Sequence, residues 1–510
     1  MNESPVSDAS VKLGRAIRWS FVLNGGLQLG NALTTFVLAS KVGPEKFGLV
    51  ALANLFVLFQ QMILDPGVTS ALVQRREISK AHLDSAFWGL CGTSVVLTSI
   101  CILAAGWWAD WNREEALVPL VRVLAVAIPL QGLALVQQAV LMRELDFRSL
   151  AVRTNAGILC GAIVGISMAF AGMEEWSIVG QHLTIAAANL LLIWRLSSWR
   201  PGFSVRWSAI RELLPFSFGV FLQRLGNFAY AHADTAVMGY WFGKHAVGLY
   251  RFSFRLLNMG IDTGSRAVNM ASLPAFARSQ DDKQALSEAA VQCLRITSVV
   301  TVSLLAMLAA NIDFLLPVLE TKWTDAALPI KLLVVAGVGQ ITAMLATPLL
   351  QAVGRSYTVG VLSWVWGGVT VASSILVARA LHEHDAGEQV TGIALARTVI
   401  ALLLHVPVYA YVLRKVSGIG VVDTLRIMGP VLVAGSAAVA TGFALGASGL
   451  LAIFPAFVAF LVAVLVDGTV LVAALVLLDP FVRRIVRRMV RVFVKRSASR
   501  AAAVPDVEPR

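Results

Sequence analysis

Apolar runs of near-constant length follow one another along almost the whole of this 510-residue chain, broken only by short polar stretches. Most are close to the roughly 20 residues a helix needs to cross a bilayer, and no soluble core buries segments of that kind. The pattern predicts an all-α polytopic membrane protein with fourteen spans. They are placed at 16–40, 47–64, 85–108, 117–140, 154–173, 177–194, 213–238, 249–270, 296–318, 328–350, 358–379, 389–412, 427–447 and 450–478. An even count leaves both ends on one side. Lys and Arg gather in the termini and the even-numbered loops, whereas the odd-numbered loops hold only Lys41, Lys46, Arg113, Lys244 and Lys322. Positive charge stays on the cytoplasmic side, so both termini are expected in the cytoplasm and the chain in the cytoplasmic (inner) membrane. No small-residue cleavage site follows the first run, which is expected to remain as a span and not to be removed as a signal peptide.

Within this pattern the chain writes one stretch twice. Residues 24–49, NGGLQLGNALTTFVLASKVGPEKFGL, are echoed by 220–249, VFLQRLGNFAYAHADTAVMGYWFGKHAVGL. Each copy carries Leu-Gly-Asn (Leu29-Gly30-Asn31, Leu225-Gly226-Asn227) and then a Gly-x-x-x-x-Gly-Leu turn, Gly43 to Leu49 and Gly243 to Leu249. A fainter echo joins Pro119, Arg122 and Gln131 to Pro329, Lys331 and Gln340. The copies are six spans apart, an even number, so the halves share one orientation: parallel repeats about an axis along the membrane normal. The expected organisation is a cytoplasmic N-terminus (1–15), a first lobe (16–212), a second lobe (213–423), two further helices (424–478) and a basic tail (479–510).

Composition agrees: 57% hydrophobic residues, 14% charged and a mean hydropathy of +0.75 exclude an ordinary soluble domain. The net charge of +12 is mostly this topology and not a nucleic-acid footprint. Cys91, Cys101, Cys160 and Cys293 lack paired spacing, so neither a disulfide framework nor a metal site is expected. His382-Glu383-His384-Asp385 lacks the i, i+4 histidines of a helical zinc site and reads as a solvated turn. No cofactor is expected. In the tail, Val482, Ile485, Val486, Met489 and Phe493 form an apolar stripe among Arg484, Arg487, Arg488, Arg491 and Lys495, the pattern of a helix lying on an anionic leaflet. Residues 497–510 read as disordered.

Polar residues inside the spans are the candidate chemistry. In the first span Asn24, Gln28, Asn31 and Thr35 share one face, for a cavity or for bonds between helices. The seventh span carries Arg224, Asn227 and Asp234. In the eighth, Arg251, Arg255, Asn258, Asp262, Arg266 and Asn269 project within a sector of about 80°. An arginine facing lipid near the bilayer centre costs at least about 2.5–3.5 kcal/mol, so this stripe must face protein or water. Two readings stay open: cations lining a cavity for an anionic cargo, or end residues snorkelling while Arg255 pairs with Asp234 or Asp262. Such a pair would make those two acids candidates for ion coupling. Arg122 and Lys331 lie near span ends and serve either a cavity or the interface. Arg397 is expected to pair inside the bundle. His182, His232 and His405 read as hydrogen-bonded within the bundle or as proton relays. Asp467 is expected to lie towards the cytoplasmic end of its span or to pair there.

One further segment, Arg143-Glu144-Leu145-Asp146-Phe147-Arg148-Ser149-Leu150-Ala151, resembles the cytoplasmic signature of the Wzx-type polysaccharide-repeat flippases of the MOP superfamily. The Gly43–Leu49 turn, the Ala171-Gly172 to Trp176 turn and the run Asp234…Gly243…Gly248-Leu249-Tyr250 extend the resemblance over about 15–415, with the colanic-acid exporters most alike. It implies a cargo: a polyprenyl-pyrophosphate-linked oligosaccharide repeat unit, flipped between leaflets for exopolysaccharide, capsule or O-antigen assembly. It also implies polymerase and other assembly proteins as partners. Because one chain supplies both lobes, a monomer is sufficient. Two rivals are a multidrug or other lipid-linked-precursor exporter of the same superfamily and a membrane polymerase or glycosyltransferase. The arginine stripe argues against the first, since cationic drugs call for acids. The second needs a catalytic loop that these short external turns do not offer.

Overall fold

A computed structural model of the chain describes residues 5–75, 77–278, 282–319 and 321–487; the side chains of 5–29, 31, 214, 216, 265–275, 277, 278, 321 and 356 lie outside the description. Every regular element among the described residues is a helix. In order they are α1 (Pro5–Leu64), α2 (Val68–Gln74), α3 (Lys80–Asn112), α4 (Leu117–Leu124), α5 (Ala127–Arg143), α6 (Phe147–Phe170), α7 (Glu174–Leu196) and α8 (Trp207–Arg278). Then follow α9 (Lys283–Leu315), α10 (Ala327–Ala352), α11 (Ser356–Leu381), α12 (Ala386–Ile400), α13 (Val406–Ser417), α14 (Val421–Ser448) and α15 (Ala456–Leu478), with short 3₁₀ turns between α9 and α10.

α1 and α8 have 60 and 72 residues. As straight rods they would run about 90 and 108 Å, at least twice a full bilayer of about 40–45 Å. Each is broken once, at Gly43 (φ 74°, ψ 167°) and Gly243 (φ 79°, ψ −176°), a left-handed φ that only glycine takes cheaply. The two breaks are the repeated turns, so each long helix holds two of the expected spans. Among the described residues, eleven helices are long and apolar enough to cross a membrane. The first two expected spans share one of these, and α8, whose arms carry Arg224, Asp234, Arg251 and Arg255, is not among them. The last expected span opens later than position 450, at Ala456 behind Pro455.

The chain forms two compact units. The first comprises 1–263, 319–336 and 350–403; the second comprises 264–318, 337–349 and 404–510. In the first unit α6 packs closely on α7 because small residues recur every fourth position: a Cβ on Gly161 would lie 2.9 Å from the Gln181 carbonyl oxygen, and one on Gly165 3.2 Å from that of Ser177. In the second, Gly435 and Gly442 of α14 play the same part against α9, where a Cβ on Gly442 would meet the Ala310 carbonyl at 2.3 Å. The tail stripe expected over 482–495 passes beyond the described residues after 487, and 497–510 lies wholly outside them.

The signature segment is a structural joint. Leu145 takes φ 57°, and Asp146 then caps α6, accepting the Ser149 N–H at 3.1 Å and the Ser149 hydroxyl at 2.6 Å. Arg143 Nη1 donates to the carbonyls of Leu72 (3.3 Å), Val73 (3.4 Å) and Arg75, orphan acceptors at the end of α2. The Ser149 hydroxyl, and after it the Ser149 N–H, hold the Asp146 carboxyl below its ordinary range. A lowered acid contributes its stability above the unfolded value and loses it as pH falls through the folded one. Asp146→Ala is therefore expected to lower stability by about 0.5–2 kcal/mol near neutrality. Thermal unfolding in detergent should show that gap narrowing on acidification; a gap independent of pH would refute the charged cap.

Candidate functional site

The two repeated turns meet inside the first unit. A Cβ on Gly48 would lie 1.8 Å from the Lys244 carbonyl oxygen, and one on Gly248 1.9 Å from the Pro44 carbonyl oxygen. Pro44 and Lys244 are equivalent in the two copies, as are Gly48 and Gly248. The contact is thus reciprocal, the mark of a local two-fold relating the halves. Beside it the buried indole of Trp323 donates to the Ala39 carbonyl at 3.0 Å and packs against Phe47 and Phe252, with ring centroids 5.9 and 4.3 Å away. An apolar seal therefore closes this end.

Further along the same two arms lies a cavity of about 280 Å³. Four pairs of positions that differ by 200 line it: Ala51 with Arg251, Asn54 with Phe254, Leu55 with Arg255, and Leu58 with Asn258. Backbone symmetry is kept while the chemistry breaks it, so one wall is neutral and the other cationic. His182 of α7, with His232 and Thr235 of α8, also lines the space. Arg251 and Arg255 are half-buried. Arg251 stands 5.8 Å from the Phe254 ring centroid and leaves Nη1 without a hydrogen-bond partner. Arg255 and Asn258 make no hydrogen bond or ion pair among the described residues, and no carboxylate is among the residues lining the cavity. An anion can supply what these donors lack.

The nearby acid is already engaged. Asp234, 1% exposed, pairs with Arg397 Nη2 at 2.7 Å, accepts the Tyr250 hydroxyl on the same oxygen, and accepts the Thr235 N–H at 2.7 Å on the other. Arg397 also donates to the Tyr230 carbonyl at 2.6 Å, and its guanidinium lies 5.0 Å from the ring centroids of both Tyr230 and Phe254. Arg397 thus pairs within the bundle as expected, and of the readings left open for Arg255 a pair with Asp234 is not formed. Helical geometry gives the reason. Tyr250 and Phe254 share one face of the arm and reach the acid side, while Arg251 and Arg255 lie about 100° further round and project into the cavity.

Other candidates fall elsewhere. Arg224 donates to the Asp65 carbonyl at 2.5 Å and to its carboxylate at 3.0 Å, tying α8 to the turn between α1 and α2. Asn227 and Arg122 are exposed, Lys331 and Asp262 half-buried, and none of the four lines the cavity. The side chains of Asn24, Gln28, Asn31, Arg266 and Asn269 lie outside the described residues. Asp467, expected near a span end, is the middle residue of α15 and is fully buried. Asn54 is a lining residue that polar patterning does not single out, and its equivalent 200 positions on, Phe254, lies between the arginines of the stripe.

A family model described as "Polysaccharide biosynthesis protein" matches residues 37–328, which include both turns and both cavity arms. The succinoglycan biosynthesis transport protein ExoT of Rhizobium meliloti (strain 1021) is 27% identical over 353 residues, 69% of this chain and 70% of ExoT. The lipopolysaccharide biosynthesis protein WzxC of Escherichia coli (strain K12) is 22% identical over 304 residues, 59% of this chain and 62% of WzxC. Among solved structures, the lipid II flippase MurJ in an inward closed conformation superposes with a TM-score of 0.70, covering 93% of this chain and all of MurJ; at 14% identity the likeness is one of fold. The resemblance to Wzx-type proteins is therefore borne out. Matched over more than half of its length, the chain belongs to the polysaccharide biosynthesis protein family and is a multi-pass, all-helical membrane protein with a MurJ-like fold.

Proposed function

We propose that this protein moves polyprenyl-pyrophosphate-linked oligosaccharide repeat units from the cytoplasmic to the periplasmic leaflet of the inner membrane, for assembly into exopolysaccharide, capsule or O-antigen. One observation carries the reading: a carboxylate-free cavity on the two-fold, with Arg251 and Arg255 on one wall and Ala51 and Leu55 at the equivalent places on the other. Guanidinium groups bind pyrophosphate by charge-assisted, often bidentate hydrogen bonds. The family and the relative ExoT, named as a transport protein of succinoglycan biosynthesis, support a transporter over a polymerase or transferase. A cavity bare of acids disfavours cationic drugs. In this reading the lobes 16–212 and 213–423 rock about the cavity, both termini lie in the cytoplasm, and one chain suffices.

Arg251→Ala and Arg255→Ala should each remove charged hydrogen bonds of about 1.5–3 kcal/mol to the headgroup, a loss of about ten- to a hundredfold in affinity. The check is the leaflet distribution of lipid-linked repeat units in cells carrying each variant as the sole copy. Complete units should accumulate on the cytoplasmic leaflet. Wild-type export from both variants would end the reading.

A further inference from the structure

The second unit holds a buried acid that this transport reading does not use. Asp467 is 0% exposed and sits at the middle of α15, the most apolar of the candidate spans. Asn311 of α9, 3% exposed, lies beside its carboxyl. The same level of the contact is marked by Gly468, where a Cβ would stand 3.8 Å from Met307 Cε. Asn311 spends an amide hydrogen on the Met307 carbonyl at 3.0 Å. Its Oδ1 has no partner, and neither Oδ1 nor Oδ2 of Asp467 has a hydrogen bond of ordinary geometry. Among the described residues, the second amide hydrogen of Asn311 is thus the one donor beside a carboxyl held in an apolar interior.

Buried oxygens in such a place require a positive partner or a hydrogen. Among the described residues, α9 and α14 pack against α15. α14 bears no titratable residue between Arg426 and its end at Ser448, and α9 none between Arg295 and Asp313. Asp313 is exposed and, two residues beyond Asn311, turned about 200° from it. No basic side chain of these helices stands at the level of Asp467. A metal ion is a poor fit too: three oxygens fall well short of the six or more that hard cations collect, and helical carbonyls are committed to backbone bonds. A proton needs only one donor oxygen and one acceptor.

We propose that Asp467, beside Asn311, is a proton-binding site in the second unit, held there as the neutral acid. The proton comes from water and returns to it, with no other bond changed. Its loss would leave a bare carboxylate in the apolar interior without a cation, and α15 would loosen from α9. The packing of the C-terminal helices is therefore linked to pH, independently of what the first unit carries.

The test uses the full chain in nanodiscs of zwitterionic phospholipid, with dicyclohexylcarbodiimide as the probe, since it adds to protonated carboxyls in apolar surroundings. Mass spectrometry should find Asp467 modified at neutral pH in sodium-free buffer, with modification falling as pH rises and Asp467→Asn unmodified. Thermal unfolding gives a second readout. Asp467→Asn should match the wild type at neutral pH and exceed it at alkaline pH, where only the wild type is penalised. An unmodified Asp467 at neutral pH would overturn the proposal. So would suppression of labelling by sodium at constant pH, which would make this an alkali-cation site, or equal pH dependence of the two proteins' stability.

Discussion

Arg397→Ala is expected to be the most damaging single substitution in the first unit. It strands Asp234, 1% exposed, with its charge unmatched. Removing one partner of a buried pair costs about 3–5 kcal/mol, a large part of the roughly 5–15 kcal/mol that holds a typical domain together. The rings of Tyr230 and Phe254, each 5.0 Å from the guanidinium, would also lose their cation. The acid would then be free to attract Arg251, whose Nη1 has no hydrogen-bond partner, and so to withdraw a cation from the cavity. Asp234→Asn should cost less, because a neutral amide still accepts from Tyr250. The double variant Asp234→Asn, Arg397→Met should recover much of the loss, since an apolar side chain leaves no charge behind. Thermal unfolding of the four proteins in one detergent is the measurement. An Arg397→Ala protein as stable as the wild type would show that the pair holds nothing.

The second large effect lies at the reciprocal glycines. A methyl group on Gly48 or Gly248 would fall within 2 Å of a carbonyl oxygen of the other copy, and backbone is what must yield. Both arms would have to part by more than an ångström, at an overpacking cost of about 1–3 kcal/mol or more. Trp323, which packs on Phe47 and Phe252, would lose its fit at the same time. Gly48→Ala and Gly248→Ala are thus expected to open the sealed end. With Asn54→Cys as a reporter in the cavity, thiol labelling by a membrane-impermeant reagent from the outside should rise in both. Gly106→Ala, where nothing lies within 4 Å of the added carbon, is the control and should leave labelling unchanged. Equal labelling in all three would mean that the turns are not the barrier.

Much of this architecture is legible in the linear chain because a bilayer imposes a simple length rule on apolar helices. The repeat is legible as well: two glycines in equivalent registers announce two breaks that no other residue tolerates, and Gly43 and Gly243 occupy them. The cationic wall could be read from the periodicity of Arg251, Arg255 and Asn258, since a lipid-facing guanidinium is too costly. Which acid meets which base could not. Asp234 is 17 residues from Arg251 and 163 from Arg397, and the more distant partner takes it because Tyr250 and Phe254 turn their face of α8 towards that acid. Arg224 shows the same limit, its polar register matching the cavity pattern while its partner, Asp65, closes a turn more than 150 residues earlier.

From the sequence alone came the helical class, the span lengths, the two like copies and the surplus of cations on the second, all local consequences of apolar length and of 3.6-residue periodicity. Tertiary structure decided what those cations do. It brought residues 200 positions apart onto one two-fold, matched Asp234 with Arg397 so that Arg251 and Arg255 remain without a carboxylate partner among the described residues, and buried Asp467 beside Asn311. Charge pairing acts through space at a few ångströms, and only the packed helices determine which side chains come that close.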